Sequence, residues 1–572
     1  MPRPDAWFPA LPQYRGYERR WFTQDLVAGL VLTGLLAPAG MAYAAACGLP
    51  PVNGLYASVL PLLAYAIFGP SRIMVLGPDS ALTPLIAAAV LPFMRISPAE
   101  GLAAAGMLAV IAGVACLAAG LLRFGFLAEL LSAPVRYGYL HGVAITIIIG
   151  QFATICGFSV PGESLWGQGR DLVRGLRGDA FRGWAFAIGM VCLALILVLR
   201  AVSRRIPGTL IAVLVGIGAG LVFTLERHGV ALVGDLPHGI RAPAWPHLHW
   251  AQTRTLLGAG LGIALVAFAD TSVLSRAMSI RRHEPADTSK ELIALGVGNV
   301  AAGLFHGFPI SSSSSRTPAA EAAGARTQLT GVVAAAAMVT IALVAPSVFR
   351  HMPKATLAAI VCAAAITLID VPAMVRLYGV RRSEFALAIA ATVAVALLGP
   401  VTGAGVAVAL SILNFVRIEW KPYTAELVRV DGLKGYHDRS RHPEGRTIPG
   451  LLLYRFDAPL FFANASHFAD DLQRRIAAQP QKVRCVIVTA EPITDVDATA
   501  AEMLGDLVAD LRAADIELRF AELKGTVHER VDRYQVFGHD MPEHTARTTG
   551  QAVKAYLADF GVPWVDWEDR TP

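Results

Sequence analysis

Twelve apolar runs of about bilayer-crossing length dictate what this chain can become. They lie near residues 25–48, 51–69, 98–123, 130–155, 183–200, 207–225, 255–279, 287–304, 326–345, 355–370, 383–398 and 400–417. In lipid a segment must satisfy its own backbone, so each run reads as an α-helix. Of 572 residues, 55% are hydrophobic and 16% charged, which excludes an ordinary soluble enzyme. The run from Leu26 to Ala46 ends in Ala42-Tyr43-Ala44-Ala45-Ala46 and could imitate a signal peptide. The preceding segment is too long and Pro-rich for that, so the run is read as the first span.

Two stretches break this pattern. Phe305-His306-Gly307-Phe308-Pro309-Ile310, then Ser311 to Ser315, then Arg316-Thr317-Pro318, is polar and helix-breaking, and Gly77-Pro78-Asp79-Ser80-Ala81-Leu82 is a shorter break upstream. Irregular backbone at membrane depth survives only where it is buried in protein or lines a wet cavity. Short helices following them, near 80–92 and 315–323, bring the total to fourteen segments, and the breaks fall third in each set of seven. An odd-numbered unit repeated once must be inverted in the membrane, and matched broken helices point to a transporter's binding site. Two half-helices meeting N-terminus to N-terminus favour an anion. The alternative, that Gly77-Pro78 and Pro309 only kink continuous helices, leaves the matched positions unexplained. The serine run as a linker conflicts with its setting between apolar spans.

The net charge of +6 comes from arginines at segment ends, such as Arg204-Arg205, Arg281-Arg282 and Arg381-Arg382, so nucleic acid is not an expected partner. With cytoplasmic termini, Arg15, Arg19, Arg20, Arg72, Arg123, Arg136, Arg200, Arg326 and Lys421 join those pairs on one side of the bilayer. The loop 156–182 violates the rule with four arginines and is read as a partly amphipathic surface segment. A multi-pass protein of the cell (inner) membrane is expected. The six cysteines, Cys47, Cys116, Cys156, Cys192, Cys362 and Cys485, lack metal-ligand or disulfide-framework spacing. His238, His247, His249, His283, His306 and His351 lack a partnered nucleophile or ligand repeat. No metal, cofactor or catalysis is expected.

The expected organisation is a cytoplasmic segment (1–24), a transmembrane domain (25–419), a charged linker (420–447), a small α/β domain (448–562) and a tail (563–572). Strand-like Gly450–Phe456, Val483–Ala490 and Ile516–Glu522 alternate with helix-like Ala465–Ala478 and Ala498–Ala513, and two further helices run to about 560.

The chain resembles the sulfate permease (SulP) anion transporters, which carry a C-terminal STAS domain. The resemblance rests on Ala37-Pro38-Ala39-Gly40-Met41-Ala42-Tyr43-Ala44, Leu49-Pro50-Pro51-Val52-Asn53-Gly54-Leu55-Tyr56, Phe68-Gly69-Pro70-Ser71-Arg72 and Phe308-Pro309 through Thr317. In the last domain it rests on Pro459-Leu460-Phe461-Phe462-Ala463-Asn464-Ala465 and Thr494-Asp495-Val496-Asp497-Ala498-Thr499-Ala500. It implies a seven-plus-seven inverted repeat divided into core and gate domains, homodimers, and anion transport by an elevator-like movement. It places the anion against Ser80 and the Ala81 and Leu82 amides on one side and Ser314, Ser315 and Arg316 on the other, with Tyr43 bordering. Hydroxyls and amides can replace an oxyanion's water, and arginine adds a fixed charge. Tyr43 as plain core packing is the alternative.

The resemblance also implies a cation-coupling acid, Asp270, in the run Gly262 to Ser272. A carboxylate among apolar neighbours is costly and by default functional. We expect Arg316 as its partner in the empty state; a permanent structural ion pair is the alternative. Each negative charge moved against an inside-negative potential costs about 2.3 kcal/mol per 100 mV, which a co-transported proton or sodium ion offsets. Proton is favoured because Leu274 stands where sodium-using relatives would present a hydroxyl, although Thr271 and Ser272 could supply oxygens. Two positions depart from the family pattern: Ala39, where many relatives have Gln, and Asp79, where an uncharged residue is commoner. Asp79 is expected to cap the following helix, its oxygen accepting from backbone N–H groups two or three residues on; a second protonation site is the alternative. Thr499 matches a phosphorylated hydroxyl of soluble relatives and otherwise reads as a helix cap.

The expected function is therefore proton-coupled symport of sulfate or a similar small inorganic or carboxylate anion. Sodium-coupled bicarbonate symport, proton-coupled C4-dicarboxylate symport, and an uncoupled exchanger or channel are alternatives. Nucleobase permeation conflicts with Arg316 and the STAS domain, and a non-transporting anchor conflicts with the intact pair of breaks.

Overall fold

The structure, a computed structural model, describes residues 16–125, 132–160, 165–178, 180–202, 207–234, 241–282, 287–313, 315–344, 346–538 and 541–569, with Ala10, Tyr14 and Gly239. Ser314, Arg15, Arg204, Arg205, His238 and His283 lie outside the described residues. The chain divides into two units, 1–411 and 412–572.

The first half runs α1 (Trp21–Ala46), α2 (Val52–Phe68), β1 (Leu76–Gly77), α3 (Thr83–Ile96), α4 (Pro98–Leu121), α5 (Ala133–Ile155), α6 (Leu165–Arg177), α7 (Gly183–Val202) and α8 (Gly208–Val222). The second runs α9 (Trp250–Arg282), α10 (Thr288–Leu304), β2 (Ser311–Ser312), α11 (Arg316–Ala322), α12 (Leu329–Val344), α13 (Lys354–Ile366), α14 (Val371–Val380), α15 (Arg382–Leu398) and α16 (Pro400–Trp420). By length and composition α1, α4, α5, α7, α9, the α13–α14 stretch and α16 can each cross a bilayer. Every expected span appears as a helix, with ends shifted by a few residues.

Two mostly exposed helices extend the pattern. The loop 156–182 contains α6, which is amphipathic and buries no residue. A counterpart the sequence reading missed, α14, begins where the side chain of Asp370 accepts from the Ala373 N–H and Pro372 sits in the first turn. It buries only Ala373 and exposes Val371, Val375, Tyr378 and Val380. Each follows the fifth segment of its half.

Small residues let the helices approach closely, as expected where lipid supplies no hydrophobic drive between them. A Cβ on Gly54 of α2 would lie 2.0 Å from the Gly40 carbonyl oxygen of α1. Along the α4–α10 seam, a Cβ on Gly106 would meet the Gly303 oxygen at 2.9 Å, and one on Gly296 the Gly113 oxygen at 2.8 Å.

Buried carboxylates also brace this unit. Asp25 is fully buried on α1 and accepts from the Arg326 and Thr327 N–H groups and from the hydroxyls of Thr327, Thr330 and Tyr17. Asp287 caps α10, its side chain accepting from the Lys290 N–H at 3.1 Å. Glu291, four residues on, turns inward and accepts from Tyr65 at 2.8 Å and Ser275 at 2.9 Å.

The second unit is a six-stranded sheet. It comprises β3 (Thr424–Arg429), β4 (Tyr436–Asp438), β5 (Leu451–Phe456), β6 (Cys485–Thr489), β7 (Glu517–Ala521) and β8 (Thr545–Ala546), in the order β4-β3-β5-β6-β7-β8. Strands β5 to β8 are parallel, and β3 runs antiparallel to β4 and β5. The helices are α17 (Ala465–Ala477), α18 (Ala498–Ala513), α19 (Gly525–Arg533) and α20 (Thr549–Asp559).

The reading of 420–447 as linker is corrected: β3 and β4 lie there and complete the sheet. Ala425 and Leu427 alternate inward with polar neighbours, but the surrounding charge hid the period. Part of the expected tail is likewise fixed. Buried Arg429 donates through Nε to both Asp566 oxygens, at 3.0 and 2.8 Å, and through Nη1 to the Leu433 and Gly435 carbonyls. Burial disfavours ionisation of Asp566, but the hydrogen bonds and charge of Arg429 outweigh it and hold that carboxyl below the usual range.

A carboxyl held below its ordinary value, near 4, stabilises the fold fully above that value, and the contribution is lost as pH falls through the folded pKa. We predict that Arg429→Ala lowers the stability of this unit by about 3 kcal/mol at neutral pH, with the difference from wild type shrinking below about pH 4. Thermal melting across pH tests this; a neutral-pH melting point equal to wild type would contradict it.

Candidate functional site

The two breaks meet. β1 and β2 pair antiparallel, Leu76 opposite Ser312 and Gly77 opposite Ser311. Side chains complete the bonding that helix would have supplied. Asn299 of α10 accepts from the Ile310 N–H at 2.9 Å and donates to the Ile310 carbonyl at 3.1 Å. Gln328 donates to the Ser71 and Met74 carbonyls at 2.9 and 3.0 Å. Thr317 accepts from the Val75 N–H at 3.1 Å, and the Ser313 N–H donates to the Val75 carbonyl at 3.3 Å. These contacts fix where α3 and α11 begin.

Arg316, the first residue of α11, extends back toward the first break and is 6% exposed. A Cβ on Gly77 would lie 4.0 Å from its Nη1, in ordinary van der Waals contact, so the guanidinium lies beside β1. Its Nη2 is 3.6 Å from Asp79 Oδ1, too long for a hydrogen bond, and among the described residues Nε, Nη1 and Nη2 are all buried without a hydrogen-bond partner. A buried, unsatisfied guanidinium is costly and in native structures has a reason. Ser272 Oγ, Ser312 Oγ and the Tyr139 hydroxyl are also buried and unpartnered.

The sequence-derived site residues fare differently. Tyr43 on α1 is buried beside Ser80, in the field of Asp79 and Arg316, and Ser80 is buried as well. Leu82 is fully buried immediately before α3. The Ala81 amide is not a free donor: it bonds Asp79 Oδ2 at 3.1 Å. Asp79 thus accepts two residues on, as expected, yet its other oxygen faces inward to Arg316. Ser315 is exposed and its hydroxyl lies 3.1 Å from that of Ser313, which in turn accepts from the Arg316 N–H. With α11 only seven residues long, the guanidinium rather than a helix dipole is the principal positive group on that side.

The expected Asp270–Arg316 pairing is also corrected, because the ion-pair partner of Arg316 is Asp79. Thr271 takes the position against β2, its hydroxyl 3.4 Å from the Ser312 N–H and donating to the Ala267 carbonyl at 2.7 Å. Asp270, one residue earlier on α9, is left half-buried in the field of Asp79, Arg136 and Tyr139. It is therefore part of the same electrostatic cluster without contacting Arg316. Sequence reading missed Tyr139, Ser312, Asn299 and Gln328; Asn299, an amide inside an apolar run next to a break, was a usable signal.

In the other unit Thr499 is exposed on the first turn of α18, and the cap is Asp497, which accepts from the Ala500 N–H at 2.8 Å. The cap reading of Thr499 is therefore corrected. Among the described residues no three His, Cys, Asp or Glu side chains converge as a metal site.

Residues 22–391 match the sulfate permease family and residues 442–552 the STAS domain. A probable sulfate transporter of Mycobacterium tuberculosis is 39% identical over 96% of this chain and 98% of its own. The chloroplastic sulfate transporter 4.1 of Arabidopsis thaliana is 28% identical over 92% of this chain and 79% of its own. Among solved structures, the murine solute carrier 26 family member A9 anion transporter, in its inward-facing state, superposes with a TM-score of 0.88 at 21% identity, over 97% of this chain and 94% of that one.

Asn299→Ala should leave the Ile310 N–H and carbonyl unpaired and destabilise the β1–β2 junction by about 2 kcal/mol. A lowered melting temperature of the purified protein would register this, and an unchanged one would deny Asn299 the bracing role. Arg316→Ala should weaken anion affinity about tenfold or more, from the loss of charge-assisted hydrogen bonds; unchanged affinity by calorimetry would remove Arg316 from the site.

Proposed function

Since the chain belongs to the sulfate permease family and ends in a STAS domain, we propose that it is a secondary active transporter that moves sulfate or a similar small oxyanion in symport with protons. The observation that carries this reading is the Arg316 guanidinium, buried and without a hydrogen-bond partner where the two broken helices meet. An oxyanion presents several acceptor oxygens to such a fork, and the Tyr43 hydroxyl, beside Ser80, lies within the field of the same guanidinium. The transporter relatives support transport over chemistry.

Coupling follows from charge. A divalent anion moving against an inside-negative potential meets about 4.6 kcal/mol per 100 mV, twice the single-charge cost. Asp270, within the field of the same cluster, can hold a proton that offsets part of this. Leu274 one turn on is apolar and supports proton over sodium; the unpartnered Ser272 hydroxyl favours sodium as the second reading. The elevator-type movement of a core carrying both breaks, the homodimer, and residence in the cell inner membrane with cytoplasmic termini come from the family resemblance. Arg72, Arg282 and Arg326 line one cavity of about 280 Å³ with Trp21, which supports their shared side.

In proteoliposomes, labelled sulfate uptake should rise several-fold under an inward proton gradient and not under a sodium gradient. Asp270→Asn should remove that stimulation while sulfate still binds. Uptake indifferent to both gradients would replace symport with exchange or channel flow, and stimulation by sodium alone would select the second reading.

A further inference from the structure

Asp79 has no part in the coupling just described, yet among the described residues it is the ion-pair partner of Arg316. Its carboxylate is built in. Oδ2 accepts from the Ala81 N–H at 3.1 Å, and the Asp79 carbonyl accepts from the Thr83 hydroxyl at 2.9 Å, which holds the residue in the turn entering α3. Oδ1 then stands 3.6 Å from Arg316 Nη2, both side chains largely buried. This contact balances the charge of the guanidinium but satisfies none of its N–H donors. A site neutralised by charge and empty of hydrogen bonds suits replacement of the carboxylate by a ligand offering more oxygens.

We infer that the Asp79 carboxylate is a tethered occupant of the Arg316 site, displaced when the anion binds, and that protonation of Asp79 accompanies the displacement. The inference rests on the anion-transport reading and adds a second proton-binding group to it. The charged and titratable groups facing Asp79 are Tyr43 on α1, Asp270 on α9 and Arg316 on α11, while Arg136 and Tyr139 on α5 bear on Asp270. Counting Asp79, Asp270 and Arg316 alone, a divalent anion with both acids ionised would leave three net negative charges. Neutralising both acids leaves one. Each proton goes to a carboxylate oxygen, the guanidinium keeps its charge, and the anion takes the donors that the carboxylate shielded.

Asp79 therefore makes anion binding tighter as pH falls, because deprotonated Asp79 competes for Arg316 and repels the ligand. Asparagine at this position keeps an oxygen for the Ala81 N–H and removes the charge. Calorimetric titration of the full-length protein with inorganic sulfate between pH 5 and 8, in sodium-free buffer, tests the idea. Asp79→Asn should bind about tenfold tighter at pH 8, and the slope of log affinity against pH should fall by about one proton. Repeating the titration in buffers of different ionisation enthalpy should show about one fewer proton taken up per sulfate.

An Asp79→Asn protein with wild-type affinity and slope overturns the inference, as does one that retains its melting temperature but no longer binds sulfate, since Asp79 would then be a ligand. Arg316→Ala separates the two levels. If it abolishes binding while Asp79→Asn changes nothing, the anion site stands and only the tethered occupant fails; if it binds normally, the site assignment itself fails.

Discussion

Peptide groups in hydrocarbon must find partners, and this chain interrupts two helices where water is scarce. The answer is a strand pair two residues long, β1 with β2, finished by side chains: Asn299, Gln328, Thr317 and Thr271. Backbone so fixed cannot drift, and it carries Asp79, Ser80 and Arg316 to one place. The polar cost of the breaks is therefore met in part by amides and hydroxyls that are satisfied and left, among the described residues, on the Arg316 guanidinium and the Ser272, Ser312 and Tyr139 hydroxyls, which are not.

The acids of this unit divide along the same line. Asp25 receives five hydrogen bonds and Glu291 two, and both act as braces between helices. Asp79 receives one backbone bond and faces a cation at a distance that leaves room, while Asp270 faces a second acid. Saturation of the oxygens, rather than burial, separates the carboxylates that hold the fold from those that can respond to a ligand.

Much of this was legible. Apolar length set the spans, and the inversion followed from matched breaks at Gly77-Pro78 and Phe308-Pro309. The burial of Tyr43 and Ser80, and the approach of Arg316 to the first break, were expected from the resemblance. What stayed hidden depended on contacts between distant parts of the chain. Whether Asp79 or Asp270 faces Arg316 is decided by one residue of helical register, with Thr271 taking the place against β2. That the Ala81 amide is already bound depends on which way a single carboxylate turns. Strands β3 and β4 were obscured by the charge around them, β4 being an edge strand with polar residues on its open side, and α14 by its brevity.

The glycine seam between α4 and α10 has one further implication. At Gly106, Gly113, Gly296 and Gly303 a methyl would come within 3 Å of a carbonyl oxygen of the facing helix, which cannot rotate aside as a side chain can. Those two helices therefore behave as one stiff plank without slack, and β2, rooted at the end of α10 through Asn299, must travel wherever that plank goes.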